Sequence, residues 1–314
     1  MADRVLVTGA SGFAGSHLVE RLAGQDVHAW THSTAPPVLA EPVSWSRVDL
    51  MDIDGVRQVV AAVRPTLVYH CAGSPHVASS WHHSAEPLAQ NVIGTHHLLD
   101  ALRRVGGPCR VLITGSATVY ASSTLAITER HTVAPVSPYA MSKFAQERLG
   151  LRAIAEDGLD VVVTRSFNHT GPRQAPAFVA PSMAQQVALI ERGNHEAVLR
   201  VGNLEARRDF TDVRDVVAAY VGLAASGETG QIYNVASGVA PSMREILDAL
   251  LARASVRIRV EPDPSRMRPH DMPVLLGDAS KLRAATGWAP AISFEQMIDD
   301  LLEYWRKRVA DSGQ

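Results

Sequence analysis

Cysteine is nearly absent from this chain. Cys71 and Cys109 are the only two in 314 residues, which gives neither a disulfide framework nor the ligand spacing of a zinc site. Both read as small buried or half-buried thiols. No run approaches the ~18–20 consecutive apolar residues of a transmembrane helix. The first residues lead straight into an apolar strand, with no charged n-region and no leader-length apolar segment, so a cytoplasmic location is expected. Charge of one sign is not in excess: Lys and Arg number 30 against 32 Asp and Glu, a net charge of −2. That removes the global field a nucleic-acid or anionic-membrane partner would need, and an anionic small molecule would have to find a local cluster of arginines. The adjacent pairs His82-His83 and His96-His97 point in different directions on any helix and make no ready metal site. Internal repeats and low-complexity tracts are absent too.

What is present is ordinary in bulk and specific in detail. A hydrophobic fraction of 46% and a charged fraction of 20% describe a globular protein, long enough for one large α/β domain or two lobes. Strand-like runs at 4–8, 26–31, 43–48, 66–72, 110–114 and 160–165 alternate with helical stretches, including 56–63, 88–105 and 138–156. This alternation predicts a parallel, doubly wound Rossmann-type sheet over residues 1–168. The second half has short segments and prolines at 170–182 and 261–273, with helical spacing at 182–192, 213–225, 242–254 and from Phe294 to Trp305. It reads as a smaller α/β substrate lobe, 169–314, with part of 209–236 returning to the first domain.

Two motifs carry the chemistry. The first is Thr8-Gly9-Ala10-Ser11-Gly12-Phe13-Ala14-Gly15, directly after Val5-Leu6-Val7. In such a strand–turn–helix, one glycine permits the turn, one admits a pyrophosphate, and one lets helix and strand approach, while the helix N-terminus faces the anion. An NAD site places an acidic residue at the end of the second strand to hold the ribose 2′-OH. Here that place reads Trp30-Thr31-His32-Ser33, with neither a carboxylate to repel a 2′-phosphate nor an arginine to hold one. The balance favours NADP, with His32 and Ser33 as candidate phosphate contacts.

The second motif is Tyr139-Ala140-Met141-Ser142-Lys143, with Ser116 upstream. Tyr139 and Lys143 sit one helical turn apart. An ammonium beside a phenol stabilises phenolate and is expected to draw the Tyr139 pKa down toward neutrality, so that Tyr139 can act as an acid or base on a carbinol oxygen. Ser116, at the end of the Val111-Leu112-Ile113 strand, can share that oxygen.

With these residues in place the chain resembles the extended short-chain dehydrogenase/reductase family over essentially its whole length. The resemblance takes in Asp49-Leu50 after the third strand, His70-Cys71-Ala72-Gly73-Ser74 after the fourth, and Asn91 in Asn91-Val92-Ile93-Gly94-Thr95. It implies that Asp49 and Leu50 contact the adenine side, that Ala72, Gly73 and Ser74 line the cofactor, that Lys143 binds the nicotinamide ribose and that Asn91 supports the site. It also implies a nucleotide-diphosphate sugar as substrate and a homodimer paired through 88–105 and 138–156.

Further segments resemble the GDP-mannose-pathway group of GDP-mannose 4,6-dehydratases and GDP-4-keto-6-deoxy-D-mannose reductases. These are Arg165-Ser166-Phe167-Asn168-His169-Thr170-Gly171-Pro172, Gly202 to Phe210, and Arg266-Met267-Arg268-Pro269. By that resemblance Asn168, Arg208, Arg266 and Arg268 contact the substrate, with Ser116, Ala117 and Thr118 beside the sugar. Guanidinium forks suit a diphosphate. One departure separates the two relatives. The dehydratases carry Glu two residues after the triad serine or threonine, and here that position is Thr118, which is no general base near neutral pH. The expectation is therefore NADPH-preferring reduction of the 4-keto group of a nucleotide-linked 4-keto-6-deoxyhexose. Ser116-Ala117-Thr118-Val119-Tyr120 also resembles the corresponding loop of UDP-galactose 4-epimerases, so an epimerase or dehydratase with internally recycled NAD+ stands as the alternative.

Overall fold

The computed structural model describes residues 3–32, 43–75, 77–267 and 272–311. Its centre is a sheet of β1 (Arg4–Thr8), β2 (Asp26–Thr31), β3 (Ser44–Arg47), β4 (Leu67–His70), β5 (Arg110–Ser116), β6 (Asp160–Ser166) and a late strand, Ile232–Val235. Three short strands follow β6, namely β7 (Asn168–Thr170), β8 (Val198–Val201) and β9 (Arg207–Arg208), then β10 (Phe210–Asp212). The late strand is therefore β11, and β12 (Arg259–Pro262) and β13 (Val274–Leu275) come after it. The seven sheet strands run in the order β11-β6-β5-β4-β1-β2-β3, and every pairing is parallel. This is the doubly wound α/β sheet that the alternation of strands and helices predicts.

A parallel sheet needs both faces covered, because its crossovers put a helix on each side. The alternation along β1 meets that need: Val5 and Val7 join one apolar cluster and Leu6 the other. The first cluster holds Leu18 and Val19 of α1 (Phe13–Arg21). The second holds Val56 and Val60 of α2 (Ile53–Val63), Leu98 and Leu102 of α3 (Gly94–Val105) and Ala153 of α4 (Pro138–Asp157). A third cluster is separate. It is built from α5 (Val179–Glu191), then α7 (Met243–Ala252) and α9 (Phe294–Asp311), with Leu199 and Val201 of β8. Between them in sequence, α6 (Val213–Ser226) and α8 (Ser280–Thr286) place Tyr220, Leu223 and Leu282 on the main sheet beside Trp288. Among the described residues no helix is long and apolar enough to cross a membrane.

Three departures from the sequence expectation have a plain physical reason. The stretch 88–105 does not begin as an α-helix: Leu88–Ile93 is a π-turn and only Gly94–Val105 is α-helical. Such wide turns occur at functional sites, and this one carries Asn91. The helix expected over 182–192 starts at Val179, with Pro181 in its first turn, where a missing N–H costs nothing. The strand expected over 66–72 ends at His70, because Cys71 and Ala72 leave the sheet to meet the glycine turn.

Candidate active site

The strand order reverses between β1 and β4, and in an open α/β sheet the crevice beyond the carboxyl ends of such strands is where ligands bind. Here that crevice collects the ends of β1, β4 and β5 and the segment after β6. Gly9 takes φ +67°, and a Cβ on it would stand 2.7 Å from the Cα of Ala72. A Cβ on Gly15 would stand 2.1 Å from the Gly9 carbonyl oxygen. A side chain at either position would therefore force the turn and its neighbours apart. Gly12 caps α1 without a side-chain bond, so the first N–H groups of the helix are left for an anion, and Ser11 bonds across to Thr31 (Oγ–Oγ1 2.8 Å). Phe13 stacks on His169 at 5.7 Å and 5°. This cradle, which side chains would fill, fits a dinucleotide pyrophosphate.

Asn91 fixes the far wall. Its Oδ1 accepts from the Ser74 N–H (2.9 Å), and its Nδ2 donates to the Ser74 carbonyl (3.3 Å) and to Ser142 Oγ (2.9 Å). Ser142 in turn donates to the carbonyl of Tyr139 (2.7 Å). The Ala72–Gly73–Ser74 loop and the helix bearing the tyrosine are thus one piece, and Ala72 is also tied to Thr8 Oγ1 (3.2 Å).

At the end of β2 the structure adds a residue that sequence reading missed. The parallel register sets Thr31 opposite Arg47, and Arg47 Nε donates to the carbonyl of His32 (3.0 Å). An arginine therefore does stand at this end of the sheet, delivered from β3 rather than from β2. His32 Nε2 lies 3.7 Å from Asp49 Oδ2, and both side chains are exposed. Asp49 accepts from the Met51 N–H (2.9 Å), and the Leu50 carbonyl meets His97 Nδ1 (2.8 Å). Ser33 lies outside the described residues.

Ser116 ends β5, with its Oγ 2.9 Å from Thr118 Oγ1 and accepting from the Thr118 N–H; Ala117 is buried in the turn between them. Ser137 caps α4 through the Ala140 N–H (3.1 Å), and Pro138 opens the helix. This start sets Tyr139 on its first turn and Lys143 on the next. Ser116 beside the Tyr139 phenol favours the phenolate, but burial outweighs this and holds the phenol above its ordinary value. The expected pull of Lys143 on Tyr139 is not what the arrangement produces. Burial lowers Lys143 itself to about 8, and its Nζ is engaged by the Thr114 carbonyl (2.6 Å) and Gln146 Oε1.

The residues expected on the substrate side are spread over the second half. Asn168 is exposed on β7, one residue beyond the sheet. Arg208 lies on β9 beside β13, where it donates to the carbonyl of Arg207 (2.7 Å). Its neighbour Arg207 is an ion-pair partner of Glu245 at the start of α7 (3.0 Å). Arg266 pairs with Asp263 (3.3 Å) and donates to Ser182 Oγ (3.0 Å). Arg268 lies outside the described residues. Sequence reading also missed a strap from the post-β6 segment to α1, in which His17 Nε2 meets the Pro172 carbonyl (2.9 Å) and Arg173 forks onto Glu20 (2.6 and 2.7 Å). These partners stand more than 150 residues apart, and no local pattern joins them.

A parallel sheet with a glycine turn at its switch point, and a serine, tyrosine and lysine on the adjoining strand and helix, define an extended short-chain dehydrogenase/reductase. The family model described as GDP-mannose 4,6 dehydratase matches residues 6–301, and the chain belongs to that family. It is 36% identical to the GDP-6-deoxy-D-mannose reductase of Pseudomonas aeruginosa, covering 99% of this chain and 100% of the relative. Among solved structures it is similar to RMD from Pseudomonas aeruginosa complexed with NADPH, with a TM-score of 0.87 and 36% identity over 98% of this chain and 100% of that one. It is also similar to the UDP-glucose 4-epimerase of Thermus thermophilus in complex with NAD, with a TM-score of 0.86 and 31% identity over 96% and 99% of the two chains.

Proposed function

We propose that this protein is an NADPH-dependent reductase of the 4-keto group of GDP-4-keto-6-deoxy-D-mannose. The observation that carries the reading is Thr118. Elimination of water from a hexose needs an acid–base group beside the triad, and the side chain here is a hydroxyl held on Ser116. Reduction of a ketone needs only a hydride and a proton. The full-length similarity to a GDP-6-deoxy-D-mannose reductase supports the same choice.

When bound, the nicotinamide supplies the hydride to sugar C4, and the protein supplies geometry and the proton. Tyr139 donates its phenolic proton to the 4-oxygen. Its raised pKa suits this direction, because the group must be protonated to act as an acid. Ser116 hydrogen-bonds the same oxygen and stabilises charge as it develops there. Lys143 binds the nicotinamide ribose. Gly9, Ser11, Gly12, Phe13 and Gly15 hold the pyrophosphate, Asp49 and Leu50 border the adenine, and Ala72, Gly73 and Ser74 line the wall that Asn91 supports. Arg47 and His32 receive the 2′-phosphate. Asn168, Arg208, Arg266 and Arg268 take the GDP-sugar. The exposed Leu88, Ile93 and Met141 support a homodimer paired through the π-turn before α3 and through α4.

The test is to mix the protein with freshly generated GDP-4-keto-6-deoxy-D-mannose and NADPH and to follow the loss of reduced nicotinamide. One NADPH consumed per sugar is expected. Tyr139→Phe should lose roughly 10²–10⁴ in turnover and keep its NADPH affinity. A changed sugar with no NADPH consumed, on protein that carries bound NAD+, would move the assignment to an internally recycling epimerase. Near-normal turnover in Tyr139→Phe would remove that residue from the reaction.

A further inference from the structure

Lys143 is 7% exposed and has no carboxylate partner among the described residues. An ammonium carries three N–H donors. Two are committed inside the protein, to the Thr114 carbonyl (2.6 Å) and to Gln146 Oε1, which leaves one for the crevice. Gln146 is itself completely buried, and what lies behind it fixes its orientation. Its Nε2 donates to Thr95 Oγ1 (2.8 Å), while Thr95 spends its only proton on the Asn91 carbonyl (2.6 Å). Thr95 must therefore accept from every other neighbour, including His70 Nε2 (2.8 Å). That makes His70 the Nε2–H tautomer, with Nδ1 accepting from Thr8 Oγ1 (2.8 Å), which in turn accepts from the Ala72 N–H (3.2 Å). Burial and the nearby ammonium hold His70 down to about 3, so it stays neutral. Each donor in the chain from β1 to α4 has one assignment. A flipped Gln146 amide would set its NH2 against the ammonium and its oxygen against Thr95 Oγ1, whose proton is already spent.

We propose that Gln146 is a positioning residue for Lys143, its carboxamide oxygen anchoring the ammonium in the core so that one N–H remains directed to the cofactor crevice. The inference rests on the assignment of Lys143 to the reaction site. A carboxamide is suited to the task. A carboxylate in its place would form an ion pair and draw the ammonium inward, and an apolar side chain would leave a buried charge with one acceptor fewer. The titratable groups facing Lys143 are His70 at the end of β4, Cys71 just after it and Tyr139 one turn back on α4. His70 is neutral, and burial pushes the Cys71 thiol up to about 12, so it too is uncharged. Glu147, next to Gln146 on α4, is taken up by Arg165 of β6 at 2.7 and 2.8 Å. Gln146 is therefore the polar side chain left to set the state of Lys143.

The chain has three lysines, Lys143, Lys281 and Lys307, so protein labelled with ¹³C at the lysine ε-carbon gives three resonances, and Lys143→Met assigns one of them. The signal is titrated in the unliganded wild type, in Gln146→Glu and in Gln146→Leu, alongside NADPH dissociation constants at neutral pH. Lys143 is expected to titrate near 8 in the wild type. The midpoint should rise by about one pH unit or more in Gln146→Glu and fall by about one in Gln146→Leu, since hydrogen bonds and charges that favour the ammonium raise it and their loss lowers it. NADPH should bind roughly tenfold more weakly to both variants, a change worth about 1.4 kcal/mol. If Gln146→Leu does not fold, the near-isosteric Gln146→Glu decides. A Lys143 midpoint unmoved in a folded variant overturns the inference. The titration uses neither cofactor nor sugar, so it can fail while the reductase stands, and it can succeed on a protein that reduces some other ketone.

Discussion

Arg47 shows how one side chain can be placed by its partner strand rather than by its own neighbours in sequence. Its Nε is fixed on the His32 carbonyl, and among the described residues its two terminal nitrogens make no hydrogen bond or ion pair. They lie at the end of the sheet where a 2′-phosphate distinguishes NADPH from NADH. Arg47→Ala should weaken NADPH binding about tenfold, in line with loss of one partly solvated charge-assisted contact, and leave NADH binding unchanged; fluorescence titration of both nucleotides separates the two. Equal loss for both would mean that Arg47 only supports the fold, and no loss would pass the phosphate to other residues. At this scale the sequence offers candidates wherever the residues that would act together are local. Gly9, Gly12 and Gly15 lie on one turn, and Tyr139 and Lys143 on one helical face. Arg47 and Gln146 were not readable, because a strand register and a buried cross-element bond place them.

The βα unit that opens the chain is the element on which the proposed cofactor binding depends. Two of its three glycines are required for distinct reasons: Gly9 for its left-handed backbone and Gly15 for contact with the Gly9 carbonyl. Gly15→Ala leaves helix propensity intact or better, yet it inserts a methyl 2.1 Å from that oxygen, so α1 must move off the turn. Dinucleotide affinity should fall at least about tenfold while far-UV helix content is kept; wild-type affinity in this variant would show that the helix can retreat without disturbing the anion site. Element type was largely legible from alternation and 3.6-residue spacing. Ser242 opens α7 with a full capping box to Glu245. The start of α5 was hidden by Pro181, which reads as a breaker unless it falls in a first turn. The π-turn at Leu88–Ile93 was hidden because its residues keep a helical pattern of polarity.

Across the molecule, the sheet supplies the candidate crevice, and the second half is partly anchored back on the sheet. β11 pairs with β6, and α6 and α8 pack on the same apolar face as α1. The strap from Pro172 and Arg173 to α1 links the post-β6 segment, which carries Asn168, directly to the helix of the glycine turn. The proposed cofactor and substrate walls therefore share supports, which suits a direct transfer between two bound partners. The sheet was legible in outline because burial on both faces leaves continuous apolar strands. The short parallel ribbons β7–β10, β8–β12 and β9–β13 were not, since strands of two to four residues are too short to show a period. The most direct test of the account is to run the reaction with NADPH carrying deuterium at nicotinamide C4, using each stereospecifically labelled form in turn, and to weigh the sugar product. The account predicts one deuterium at sugar C4 from one of the two forms, with an equivalent of NADP+ released. Product formed without deuterium from either label, while bound NAD+ stays unchanged, would contradict it.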